Sequence, residues 1–204
     1  MSEAPSVEPA PDVPPRRQLT DAKEMRALAH PVRVALLELL TRDGPMTATE
    51  AGDALGESPA NTSFHLRTLA KYGFVEEAPG GTGRQRPWQR VGLGNSFDLD
   101  SDDASTAAAA KGLADQFAQR TVERRREWEL TRASYDKAWR DADFSYDAMM
   151  YLTPAELAAL GTEIRALVDR YIERLADRSK RPADAGPVSF TASGYPIPPT
   201  AKGN

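Results

Sequence analysis

From Thr20 to Gly92 the chain is cut at short intervals by residues that start or stop helices, and this punctuation restricts the fold more than any other feature. Thr20 suits the cap of a helix running to Ala29, with Met25 and Leu28 facing inward. His30-Pro31 breaks that helix, because the residue before a proline is pushed out of the helical region. Pro31 can open a second helix carrying Val34, Leu36, Leu37 and Leu40, and Gly44-Pro45 ends it. Thr47 and Glu50 have the spacing at which a hydroxyl and a carboxylate close each other's free backbone donors, so a short third helix starts there and stops at Gly56. Ser58-Pro59 supplies a cap followed by a proline in the first helical position, and the fourth helix runs to about Tyr72 before the Gly73 stop. Residues 74–77 then read as a short strand, 79–83 as a flexible tip and 88–91 as a returning strand.

Helix, helix, short helix, tight turn, helix and a hairpin with a glycine-rich basic tip is the order of a winged helix-turn-helix. The expected fold class is mostly α (α+β), with this domain followed by a long-helix C-terminal dimerisation region. The stretches LAHPVRVALLELL (28–40) and SFHLRTLAKYGFVEE (63–77), with the Thr47/Glu50 box between them, resemble the ArsR-like family of bacterial transcriptional regulators. The resemblance covers roughly residues 18–92. It implies a homodimer that binds double-stranded operator DNA through the fourth helix (59–72) and the wing (78–90), with repression the commoner outcome.

Helical geometry says which side of the fourth helix meets a partner. At 100° per residue Thr62, Leu66 and Leu69 share the core side. The opposite side collects Ala60, Asn61, Phe64, Arg67, Thr68 and Lys71, with Ser63 and His65 on the flanks. A major groove is read by such a mixture: arginine on guanine, asparagine on adenine, an apolar group on the thymine methyl. The candidate DNA-binding residues are therefore Ser58, Asn61, Ser63, Phe64, His65, Arg67, Thr68 and Lys71, with Arg84, Gln85 and Arg86 on the wing. Phe64 and His65 also admit a packing role against the neighbouring helix or the wing, and the wing cations a plain solvated cluster. Charge favours the DNA reading: residues 20–57 carry four basic residues against seven acids, whereas 58–92 carry five against two.

The whole chain is weakly acidic, with a net charge of −4, and has no cysteine. That excludes disulfides, thiolate metal sites and cysteine nucleophiles, and it suits the cytoplasm. Only His30 and His65 remain as imidazole ligands, too few and too scattered for a zinc site, so no metal and no cofactor is expected. Residues 80–83 (GGTG) follow a hairpin rather than a strand feeding a helix, so they are no phosphate loop, and no catalytic grouping has a suitable setting. The chain is not expected to be an enzyme. No apolar run is long enough to span a membrane, and the N-terminal segment lacks the apolar centre of a secretory signal.

Residues 1–17, with their run of prolines, read as a disordered tail; 18–92 as the DNA-binding domain; 93–104 as an acidic linker; 105–181 as a helical dimerisation and possible effector region; 182–204 as an extended Pro/Gly-rich tail. A long helix is expected over about 105–140, with Leu113, Phe117 and Trp128 on one stripe. Thr153-Pro154-Ala155-Glu156 is a strong helix start, and Leu157, Leu160, Ile164, Leu167, Tyr171 and Leu175 follow as a heptad-like seam. These residues are the candidate dimerisation set. Residues 144–152 read as a strand or extended link, with 186–198 as its candidate partner. The aromatic residues of this half fit either a small-molecule effector pocket or a core and dimer interface. The alternative function is a winged-helix interaction module whose basic face meets an acidic protein.

Overall fold

The computed structural model describes residues 16–80 and 86–198. The expected tail over 1–17 therefore lies outside the described residues except for its last two, as do the wing-tip residues Arg84 and Gln85. The described residues divide into two compact units, one within 16–131 and one over 132–198.

In the first unit β1 (Arg17–Leu19) leads into α1 (Ala22–Leu28), α2 (Pro31–Asp43), α3 (Ala48–Leu55) and α4 (Pro59–Lys71). β2 (Val75–Glu77) and β3 (Trp88–Arg90) form the antiparallel hairpin, with Val75 opposite Arg90. β4 (Asn95–Phe97) pairs in parallel with β1, and α5 (Ala104–Thr131) closes the unit. The protein is mostly helical, with the few short strands of a winged helix-turn-helix.

The helix starts follow from the caps. His30 takes an extended backbone, and its Nδ1 accepts from the Val32 amide at 3.2 Å. Both halves of the Thr47/Glu50 box form, and Gly56 ends α3 in the left-handed region at φ 69°. Ser58 Oγ accepts from the Asn61 amide at 3.2 Å. At the first helix the cap falls on Asp21, one residue after Thr20, because the Asp21 carboxylate accepts from the Lys23 amide at 2.7 Å.

The core joins Met25 and Leu28 of α1, Val34, Leu36, Leu37 and Leu40 of α2, Leu66 and Leu69 of α4, Phe74, and Ala109, Ala110 and Leu113 of α5. Two sequence expectations change here. The 93–104 segment is not a plain linker: Phe97 of β4 packs against the core and stacks on Phe117 at 6.2 Å. Leu113 is fully buried within its own chain, so it is not available to a second subunit. Periodicity reports an apolar face on α5 without reporting what covers it, and α1 rather than a partner copy covers this part of the stripe. An isolated 18–92 fragment would leave that core open.

α5 is also tied to α2 by charge. Glu38 accepts from Arg120 Nε at 2.9 Å and from the Arg124 guanidinium. Arg120 reaches Glu127 at 3.0 Å as well. Glu38, Arg120 and Arg124 are each less than a third exposed, so the network is shielded from full solvent screening.

In the second unit α6 (Lys137–Ala142), α7 (Pro154–Asp169) and the short α8 (Glu173–Ala176) are separated by extended chain. The long helix expected to 140 ends at Thr131 instead. The Asp136 backbone turns extended (ψ 153°) and restarts helix at Lys137. The Thr153/Glu156 box forms at the head of α7. The seam does not continue on one helix: α7 ends at Asp169, and Tyr171 and Leu175 lie beyond it. No strand ladder joins 144–152 to 186–198; the two segments meet through Phe144 and Phe190, with ring centroids 6.5 Å apart.

The approach of α3 to α4 is close enough to depend on Gly52. A Cβ built there would lie 2.8 Å from the Glu57 carbonyl oxygen and 3.0 Å from Thr62 Oγ1. Gly52→Ala is expected to destabilise the protein by about 1–3 kcal/mol, through a clash with backbone. Gly112→Ala, within α5 and with open space around it, is expected to stabilise by about 0.5–1 kcal/mol through helix propensity alone. Urea unfolding of the two variants checks both signs.

Candidate nucleic-acid interface

α4 separates its residues into two faces. Thr62, Leu66 and Leu69 are fully buried, and His65 is 5% exposed. Ala60, Phe64, Arg67 and Lys71, spaced by four, three and four residues, form the exposed stripe. Phe64 is 55% exposed, so its ring faces solvent on this stripe.

The polar groups on and beside the stripe are held by neighbours one turn away. Asn61 Nδ2 donates to Glu57 Oε2 at 2.7 Å, which leaves its carbonyl oxygen to accept. Arg67 Nη1 donates to Ser63 Oγ at 2.8 Å. Thr68 Oγ1 donates to the Phe64 carbonyl at 3.0 Å. The Lys71 ammonium lies 5.6 Å from the Tyr72 ring centroid. Ser58 stays exposed while capping the helix. On the hairpin, Arg86 is exposed and paired with Glu77 at 2.6 Å.

His65 departs from the expected set. Helical geometry places it on the flank of the reading face, but its ring is buried against His30, centroid to centroid at 4.5 Å. The helical wheel leaves it between faces, and the chain break at His30-Pro31 settles the matter by delivering a second ring to that side. Phe64 meets the His65 ring edge-on at 5.3 Å, so three rings run from the exposed stripe back to the cap of α2.

Two residues outside the sequence-based set position α4. Glu57 orients Asn61, a pairing whose only local signal is the i, i+4 acid–amide spacing. Arg17 of β1 donates to the Tyr72 carbonyl at 2.7 Å and to Glu24 at 2.5 Å, with its guanidinium 5.0 Å from the Phe74 ring centroid. It thereby satisfies a carbonyl at the C-terminal end of α4. Nothing local marks Arg17 for this, since Tyr72 and Phe74 are remote in sequence.

Among the described residues, no group of three or more His, Asp or Glu side chains is placed to hold a metal ion, and no helix is long and apolar enough to cross a membrane.

Residues 28–78 match a family model described as a helix-turn-helix domain. The match spans α2 to β2, the elements that seat and present α4. No curated protein matches the chain. Fold and family match together define a helix-turn-helix domain over these residues, which supports a role in DNA-binding transcription regulation.

The contact between buried His65 and half-buried His30 is expected to give the domain a pH dependence. Burial is the main cause holding His65 below the ordinary 6.5, with His30 and Arg33 adding repulsion and Glu57 opposing them. His30 is lowered by burial first and by Arg33 second, again against Glu57. The native state therefore takes up protons less readily than the unfolded chain. The stabilisation is complete above the unfolded value near 6.5 and is lost as pH falls below it toward the lowered native values. Denaturation midpoints are expected to drop as the pH is lowered through that value, and His65→Gln is expected to make the drop shallower. An unchanged drop in the variant would assign the acid sensitivity to other groups.

Proposed function

We propose that this protein is a sequence-specific transcriptional regulator of the ArsR-like type, a repressor that binds operator DNA as a homodimer. The observation that carries the reading is the exposed Ala60–Phe64–Arg67–Lys71 stripe on a helix whose other face is completely buried. A rigid helix offering one ring, one guanidinium and one ammonium has the size and chemistry of a major-groove reader. The groups are also braced before DNA arrives, Arg67 by Ser63 and Asn61 by Glu57, which lowers the ordering cost of binding.

In this reading Arg67 reaches a base edge, with Phe64 against a thymine methyl and Asn61 nearby. Ser58, Ser63, Thr68 and Lys71 contact sugar and phosphate or orient the readers. Arg86 exchanges its Glu77 partner for a phosphate. The dimer is assigned to the second half of the chain, where Leu157, Leu160, Ile164, Leu167, Tyr171 and Leu175 give a succession of half-buried and exposed apolar groups. Trp128 on α5 remains with this set; Leu113, buried in its own core, and Phe117, packed on that core and on Phe97, leave it. Two copies would place their α4 helices in successive major grooves, about 34 Å apart.

Selection of bound fragments from the source genome, followed by footprinting, tests this reading. It expects an inverted repeat enriched at moderate salt; fragments recovered without sequence preference would overturn it, and an acidic protein as the sole ligand would favour the interaction-module alternative. On the enriched operator, Arg67→Ala is expected to cost about 1–3 kcal/mol and to relax preference at particular base pairs. Arg86→Ala is expected to weaken operator and scrambled DNA alike and to flatten the salt slope by about one. Equal losses on both DNAs for Arg67→Ala would show that α4 grips phosphate rather than bases. Removing residues 132–204 is expected to leave a cooperatively melting monomer, checked by sedimentation and calorimetry.

A further inference from the structure

Residues 144–152 form an extended segment between the end of α6 at Ala142 and the start of α7 at Pro154. Among the described residues the segment makes no backbone–backbone hydrogen bond. Its side chains are open as well: Phe144 is 72% exposed, Tyr146 84%, Met149 83%, Met150 55%, Leu152 42%, and Tyr151 has no cover at all. At roughly 150–250 Å² for a large side chain, Phe144, Tyr146, Met150 and Leu152, which alternate along one face, together expose on the order of 500 Å² per copy. A standard interface takes about 800 Å² from each partner, so this face supplies part of a dimer interface and other surfaces of the unit supply the rest. An unpaired backbone edge bearing that much apolar surface is a strand awaiting a partner strand.

The order of residues names the partner. Phe144, Tyr146, Ala148, Met150 and Leu152 are all apolar and share one face of an extended chain. The pattern is self-complementary about Ala148. An antiparallel pair of two copies places Phe144 opposite Leu152, Tyr146 opposite Met150, and the small Ala148 opposite itself on the twofold axis. On the other face Ser145 meets Tyr151 and Asp147 meets Met149, so no like charges stand directly opposite. The helices at both ends hold the segment out: the Thr153/Glu156 box closes the head of α7 immediately after Leu152. The 187–198 segment lies beside it through Phe190, held to its own unit where Gly186 approaches Trp139 and Gly194 approaches Leu157. It thickens what would otherwise be a bare two-stranded ribbon.

We infer that residues 144–152 pair antiparallel with the same segment of a second copy of this chain, with Ala148 at the twofold. The inference rests on the homodimer reading and adds to it a strand exchange, a register and an axis. It also relieves the heptad-like seam of sole responsibility for holding two copies together.

The chain has no cysteine, so single-cysteine variants report on this register without interference. Directly opposed residues in an antiparallel pair have Cα atoms about 4.5–5.5 Å apart, inside the disulfide range of about 4.4–6.8 Å. Ala148→Cys is therefore expected to form a covalent dimer under mild oxidation. Tyr151→Cys sits about 20 Å from its own copy in the same register, from an offset of about six residues at about 3.4 Å each. Full-length Ala148→Cys should give about tenfold more crosslinked dimer than Tyr151→Cys at equal concentration. Sedimentation of the unsubstituted chain separates the two ways of failing. If it is a dimer while Ala148→Cys crosslinks no better than Tyr151→Cys, the strand pairing is overturned and the dimer stands. If it is a monomer, both are overturned.

Discussion

The architecture of the first unit depends on how α4 is seated. Thr62, Leu66 and Leu69 leave solvent completely, His65 nearly so, and Gly52 lets α3 close against the Thr62 hydroxyl of α4 and the Glu57 carbonyl of the intervening turn. A helix packed that tightly along one side has no freedom to roll. The direction of Phe64, Arg67 and Lys71 is then decided by core residues on the opposite side, and the outward stripe is as fixed as the core itself. Arg17 extends the constraint to the end of the helix by binding the Tyr72 carbonyl.

The same logic explains why α5 belongs to the helix-turn-helix unit. Ala109, Ala110 and Leu113 complete the core, and Glu38 with Arg120 and Arg124 joins α5 to α2. α2 carries the His30 cap, whose ring supports His65 beneath the exposed stripe of α4. A displacement of α5 would thus be felt at α4 through one intervening helix, by contacts between packed side chains and a shielded ion network.

Much of this is legible in the amino-acid sequence. Caps act within a few residues, so Thr47/Glu50, Ser58-Pro59 and Thr153-Pro154-Glu156 announce their helices correctly, and the positive-φ glycines Gly56 and Gly73 announce the stops. The exposed stripe of α4 follows from helical period alone. What escapes the sequence is decided by residues distant along the chain. The three-residue strands β1 and β4 are too short to show a period, and their pairing joins Arg17 to Asn95. His65 reads as a flank residue until the fold brings His30 beside it. Leu113 has the right period for a dimer stripe and a different partner. The early end of α5 is signalled only weakly, by Thr131, Ser134, Tyr135 and Asp136, residues of lower helix propensity after a run of better formers.

If α4 lies in the major groove with its Ala60–Phe64–Arg67–Lys71 stripe against the bases, a probe on that stripe must touch DNA. Ala60→Cys, carrying an iron-chelate DNA-cleaving group in a chain with no other cysteine, measures this directly on the enriched operator. The expected result is cuts confined to a few base pairs within each half-site, on the major-groove side, while the same group on Lys111→Cys of α5 gives none there. Cuts spread evenly along the duplex, or the same pattern from both positions, would contradict it.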